Sequence, residues 1–358
     1  MKLVRVSRLA VAFVCAAFLP GLPKGTTRAQ DNQDEKQSTI EVEAVDQIAA
    51  QGVGGTHHVH VHRSRAVAKD RFYPHDKFEE PSDTQLSVPG ATSSTSQEQG
   101  LATASVPSVP TPGFYPADLS NPNHGTVIGS TQSNNLYVNC AATCWGSPAT
   151  FLMHLASSNF VHIADQYVGS TASNRYTVGP SGSIRYRSGR LSDVDILQIV
   201  HSGARTHGSG YDHVYHVFLP RGTDVCFSGT TTCYSPDNRS TFAFCAYHGS
   251  VDFQDIGHVV YTVEPYQNVK GCAVAQPSPN GALVDSTAST LSHELIEAIT
   301  DPDGNAWYAR GSLIEYGEEI GDICQTPTGQ FGVVSLFGKS YKIQPEYSNK
   351  YHACAGAP

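Results

Sequence analysis

Long apolar runs are nearly missing from this 358-residue chain. The stretch from Leu9 to Leu22 approaches one, and it is too short to cross a bilayer as a helix. Lys2, Arg5 and Arg8 precede it and Thr27-Arg-Ala-Gln30 follows, so residues 1–30 read as a secretory signal peptide, and no later segment reads as a membrane span. Basic residues are also scarce. Lys and Arg number 23 against 32 Asp and Glu, a formal charge of -9, and loss of residues 1–30 removes Lys2, Arg5, Arg8, Lys24 and Arg28 without one acid, taking it to -14. Such a balance argues against nucleic acid or anionic membranes as partners. No G-x-S-x-G elbow and no Gly-rich phosphate loop occurs, which leaves Ser/His/Asp hydrolysis and nucleotide binding without a cue.

Cysteine is present in a telling number. Of nine, Cys15 falls in the leader, and the remaining eight (Cys140, Cys144, Cys226, Cys233, Cys245, Cys272, Cys324 and Cys354) are even, as an oxidised framework requires. Sequence does not fix connectivity; pairing in chain order is the simplest arrangement. Cys140-Ala-Ala-Thr-Cys144 lacks a second thiolate or Cys/His pair at zinc-finger spacing, so a bridge is the better reading there. Export and bridges together predict a secreted, extracellular, periplasmic or cell-wall protein.

Residues 31–113 hold few aromatics and much Ser, Thr, Gln, Pro and Gly, too little apolar surface to offset the entropy of ordering. They read as a disordered low-complexity pro-segment or linker with room for one short strand. Its His57-His-Val-His-Val-His62 would set His58, His60 and His62 on one face if extended, a metal-binding or cleft-capping pattern set against the blander linker reading. Residues 114–358 suit one domain with a sizeable core. There, Leu136–Val138, Ser183–Tyr186, Val214–Leu219, Thr241–Tyr247 and His258–Val263 read as strands, and 148–168, 192–203 and 286–300 as helices, with Ser192 as an N-cap and Asp301-Pro302 as a stop. The order predicts an α/β (α+β) fold, a mixed β-sheet with packed helices.

The last helix carries His293-Glu294-Leu295-Ile296-Glu297. At about 100° per residue, His293 and Glu297 lie about 40° apart with Glu294 on the same side. Leu291, Leu295, Ile296, Ala298 and Ile299 take the opposite side, giving an apolar back and a polar front. In H-E-x-x-H, residues i and i+4 hold zinc and the intervening Glu is general base to the bound water. Here the second ligand is a carboxylate, which zinc accepts, and which leaves calcium or no metal open. Downstream, Glu318-Glu-Ile-Gly-Asp322-Ile-Cys324 places carboxylates beside a cysteine, so a pinned loop would bring Asp322 or Glu319 back as a third ligand. Tyr308 and His248 are the residue types that would steady an oxyanion. His213 and His216, on an apolar strand, fit hydrogen-bonded core histidines as readily as ligands.

The run Ser292-His-Glu-Leu-Ile-Glu-Ala-Ile-Thr-Asp-Pro302, Asn305-Ala-Trp-Tyr308 and Glu319-Ile-Gly-Asp-Ile-Cys324 resembles the hallmark block of the phosphate-induced/EXORDIUM family of secreted proteins. Phe244-Cys-Ala-Tyr-His248 and Pro279-Asn-Gly281 are similar to further segments of that family, so the likeness covers most of residues 213–358. It implies an extracellular or cell-wall setting, a zincin-like fold and weight for His293, Glu294, Glu297, Asn305, Trp307, Tyr308, Glu319 and Asp322. Plant members tend to carry Asn where Asp301 stands, which lowers Asp301 as a ligand and leaves it turn chemistry. The resulting expectation is a zinc metallopeptidase-like protein acting on a peptide, protein or cell-wall component, with calcium as the alternative metal. A non-catalytic extracellular binding or signalling protein is the alternative function.

Overall fold

The structure, a computed structural model, describes residues 37–41, 53–63, 118–169, 174–309, 319–325 and 331–358. The expected signal peptide and most of the expected linker lie outside the described residues, as does Glu318. Fifteen strands are described: β1 (Gln37–Glu41), β2 (Val53–Arg63), β3 (Thr131–Val138), β4 (Tyr176–Val178), β5 (Ser181–Arg185), β6 (Leu191–Ser192), β7 (Gly210–Phe218), β8 (Val225–Cys226), β9 (Cys233–Tyr234), β10 (Phe244–Phe253), β11 (Gly257–Glu264), β12 (Gly332–Leu336), β13 (Lys339–Ile343), β14 (Glu346–Ser348) and β15 (Ala353–Ala355). The α-helices are α1 (Pro148–Ala156), α2 (Asp165–Val168), α3 (Asp193–His207) and α4 (Ala282–Thr300).

The main sheet runs β1-β5-β3-β7-β11-β10-β2, with β4 added to β3. Pairing is parallel from β1 through β11, and antiparallel where β10 joins β11 and β2 joins β10. The expected mixed sheet with packed helices is therefore present. Because strand side chains alternate between faces, each central strand feeds two cores. Leu136, Val138, Tyr215, Val217, Val259 and Val263 pack with Ile196, Ile199 and Val200 of α3 on one face. Tyr137, Val214, Phe218 and Val260 pack with Leu152 of α1 and Leu291, Leu295 and Ile299 of α4 on the other.

Local chemistry accounts for where the elements depart from their sequence expectations. The helix expected over 148–168 is broken: α1 ends at Ala156, a 3-10 turn spans Phe160–Ala164, and α2 follows. Ser158 Oγ donates to the Leu155 carbonyl at 2.7 Å, a local bond that competes with helix continuation. Ser192 does cap α3, in a reciprocal box with Asp195. That helix runs past Gly203 because this glycine is not a stop: a Cβ there would meet Leu136 Cδ1 at 2.6 Å, so it marks close approach to the sheet. Two stretches of the segment read as a linker, β1 and β2, are strands of the main sheet.

All four bridges follow chain order: Cys140–Cys144, Cys226–Cys233, Cys245–Cys272 and Cys324–Cys354. Disulfides fit an extracellular protein. Among the described residues no helix is long and apolar enough to cross a membrane.

Candidate metal centre

The sheet face beneath α4 is polar at its middle. Alternation that sends Tyr215, Tyr247 and Val263 toward α3 sends His216, His248, Thr262 and Glu264 toward α4. Ser133 Oγ lies 2.8 Å from His216 Nε2, and His216 Nδ1 lies 2.8 Å from Thr262 Oγ1, which donates to Glu264 Oε1 at 2.9 Å. Burial lowers His216 to about 3, so it is a neutral core histidine, and raises Glu264 to about 8.

The helix above is not the amphipathic element its periodicity predicts. From Asp285 to Thr300 every residue of α4 is buried, its polar front included, because the sheet covers one side and β13 another. Asp285 anchors its first turn by accepting from Asn280 N at 3.1 Å and Asn280 Nδ2 at 2.8 Å. Here lies the role of the Pro279-Asn-Gly281 segment, and the acid favours the helix start. At the other end Asp301 Oδ1 accepts from Asn305 N and Ala306 N, both at 2.7 Å. Asp301 is thus occupied by turn chemistry.

His293, Glu294 and Glu297 have no exposed surface, and Glu319, Asp322 and His248 are buried with them. His293 Nε2 lies 3.1 Å from Glu297 Oε1 and 3.7 Å from Asp322 Oδ1. His248 Nδ1 lies 3.5 Å from both Glu294 Oε2 and Glu297 Oε2, and its Nε2 lies 3.6 Å from Glu319 Oε2. Two sets, His293 with Glu297 and Asp322, and His248 with Glu297 and Glu319, each present ligand atoms within 4.8 Å of one another.

The Glu319–Gln325 loop reaches the helix by several ties. Gly321 N and Asp322 N both donate to Glu297 Oε1 at 3.2 Å. Tyr347 N donates to the Ile320 carbonyl at 2.9 Å, and Tyr347 pairs with Cys354, whose bridge holds Cys324. Gly321 is required by proximity, since its φ of -80° suits any residue while an added Cβ would lie 2.3 Å from His293 Nδ1. Gln344 Nε2, 3.2 Å from His293 Nδ1, donates to the Gly321 carbonyl and so joins ring and loop.

Burial together with neighbouring carboxylates raises Glu294, Glu319 and Glu346 well above the ordinary carboxyl range. For Glu346 the neighbours are Glu297 and Asp322. Among the described residues neither oxygen of Glu346 or of Glu294 has a hydrogen-bond partner. Buried carboxylates so placed are costly unless protonated or neutralised by a cation.

The structure therefore brings together His293, Glu297, Asp322, Glu319, Glu294 and His248. Tyr308 is bridged through its backbone to Ser120, and its hydroxyl accepts from Asn123 Nδ2 at 3.4 Å; neither contact involves the cluster. Of the histidine-rich stretch, His60 stands opposite His248 in the β2–β10 register. Sequence reasoning missed Gln344, in the link between β13 and β14, and Glu346, which opens the three-residue β14; neither carries a periodic signal. It also missed Glu264, the last residue of β11. No protein family, curated protein or solved structure matches the chain.

Proposed function

We propose that this is a secreted, zinc-dependent hydrolase of peptides or of a cell-wall component, of EXORDIUM-like and zincin-like kind. The observation that carries the reading is the convergence of His293, Glu297 and Asp322 on one buried point, from a helix and a disulfide-held loop. Glu294 and Glu346, buried with no hydrogen-bond partner among the described residues, suit a cation within the cluster. Imidazole nitrogens among the carboxylates favour zinc over calcium, which prefers an all-oxygen shell.

Zinc, when bound, supplies Lewis acidity to a water and to the scissile carbonyl. The chain's part is to hold the ligands and to move a proton. Glu294, one residue after His293, would accept the proton of the attacking water and pass it to the leaving group. Gln344 and Gly321 keep the His293 ring in place.

A second reading has its own support. Complete burial of His293, Glu294 and Glu297 suits a structural metal in a non-catalytic extracellular binding or signalling protein. One experiment separates the two: zinc-loaded protein is presented with a peptide library beside its Glu294→Gln variant. Cleavage by the parent that the variant loses supports the hydrolase. Absence of cleavage by protein that retains zinc rejects it in favour of the structural role.

A further inference from the structure

A single ion does not use all the ligand groups gathered around α4. Five carboxylates, Glu294, Glu297, Glu319, Asp322 and Glu346, are buried beside two imidazoles, His248 and His293. Ligation takes ionised carboxylates and neutral imidazoles, and the ligand atoms fall into two sets, His293 with Glu297 and Asp322, and His248 with Glu297 and Glu319.

We infer that the centre holds two divalent first-row cations side by side, sharing Glu297, one with His293 and Asp322 and the other with His248 and Glu319. The inference rests on the metal reading above and extends it. The two faces of Glu297 are already divided, with Oε1 toward His293 and Oε2 toward His248. On the second side Glu294 Oε2 also lies 3.5 Å from His248 Nδ1. The ligand atoms of His248, Glu297 and Glu319 lie within 4.8 Å of one another, as do those of His293, Glu297 and Asp322, and the two sets share only Glu297.

One imidazole and several carboxylates per ion suit zinc, manganese or iron(II). In a hydrolytic centre a bridged pair, typically about 3.5–4 Å apart, stabilises both the attacking and the leaving oxygen. His248, placed by sequence as an oxyanion partner, becomes a ligand.

The full chain, secreted with its bridges formed, is stripped with a chelator and titrated separately with Zn2+ and Mn2+ by calorimetry, with elemental analysis of the product. Two equivalents are expected. His248→Ala and Glu319→Gln each reduce the count to one, as do His293→Ala and Asp322→Asn, while Glu297→Ala weakens both sites. Should a variant fail to fold, the parent decides by itself: paramagnetic resonance of the Mn2+ form shows an exchange-coupled pair rather than isolated ions. One equivalent with an isolated-ion spectrum overturns the pair and leaves the single-metal reading standing. No bound metal overturns both.

Discussion

Removing metal should turn the stability of this protein into a steep function of pH. Glu264 gives the scale. Its carboxyl is displaced from an ordinary 4.5 to about 8 by burial, and at about 1.4 kcal/mol per pH unit that difference amounts to on the order of 5 kcal/mol from one group. Whole domains are stable by only about 5–15 kcal/mol. A carboxyl raised in the folded state binds its proton more tightly there than in the unfolded chain. Between the two values the folded protein holds the extra proton, so stability falls as pH rises. The loss from Glu264 begins near 4.5 and is complete above about 8. Glu294, Glu319 and Glu346, raised by burial and by nearby carboxylates, add to the decline in the same direction. Chemical denaturation followed by circular dichroism, with chelator or with excess Zn2+ at pH 5, 6.5, 8 and 9, measures it. The difference between loaded and stripped curves removes two confounding histidines: His216, depressed to about 3, and His258, raised chiefly by its bond to Asp303. That difference should widen with pH, since a cation takes over what protons do in the stripped protein. Curves that stay parallel from pH 5 to 9 would refute the assignment of these carboxylates to a cation.

Two further perturbations act on the loop. Replacing Cys324 and Cys354 together by Ser opens a bridge spanning a sequence separation of 30, and the chain-entropy relation puts the loss at about 3.5 kcal/mol. Denaturation midpoints should fall accordingly, and Zn2+ titration should weaken, because Asp322 and Glu319 lose their tether; unchanged affinity would show that the loop is held by other means. Gly321→Ala drives a Cβ to within 2.3 Å of His293 Nδ1 at a backbone conformation alanine accepts. Metal affinity at the His293 position should drop roughly 10- to 100-fold, read by calorimetry. Native affinity in that variant would mean that His293 is not a ligand.

Much of the frame was legible because it rests on short-range rules. Ser192 with Asp195 three residues on is a capping pair, and the β-branched and aromatic runs around Val214 and Val260 are strands in the structure. Pairing the cysteines in chain order was only the simplest arrangement, and the structure has it. The errors have physical causes. Gly203 looked like a helix stop, yet its missing side chain serves the approach of α3 to Leu136, a tertiary fact. The broken helix after Ala156 turns on one serine hydroxyl. Neither β1 nor β2 was specified, since edge strands joining a sheet through backbone bonds need little apolar content of their own.

The site divides along the same line. Spacing on one helix placed His293, Glu294 and Glu297 together, since i and i+4 always share a face. Nothing local pointed to Glu346 or Gln344, which arrive through β14 and the strand end before it. Periodicity also misled about environment. A polar stripe on an amphipathic helix ordinarily faces water, whereas α4 turns its stripe onto a sheet face carrying His216, His248, Thr262 and Glu264. Such an arrangement is stable only if polar groups on both surfaces answer one another. Ser133, His216, Thr262 and Glu264 do so by hydrogen bonds, while Glu294 and Glu346 do not. For those two a proton or a cation is what remains, and the proposed metal centre supplies the cation.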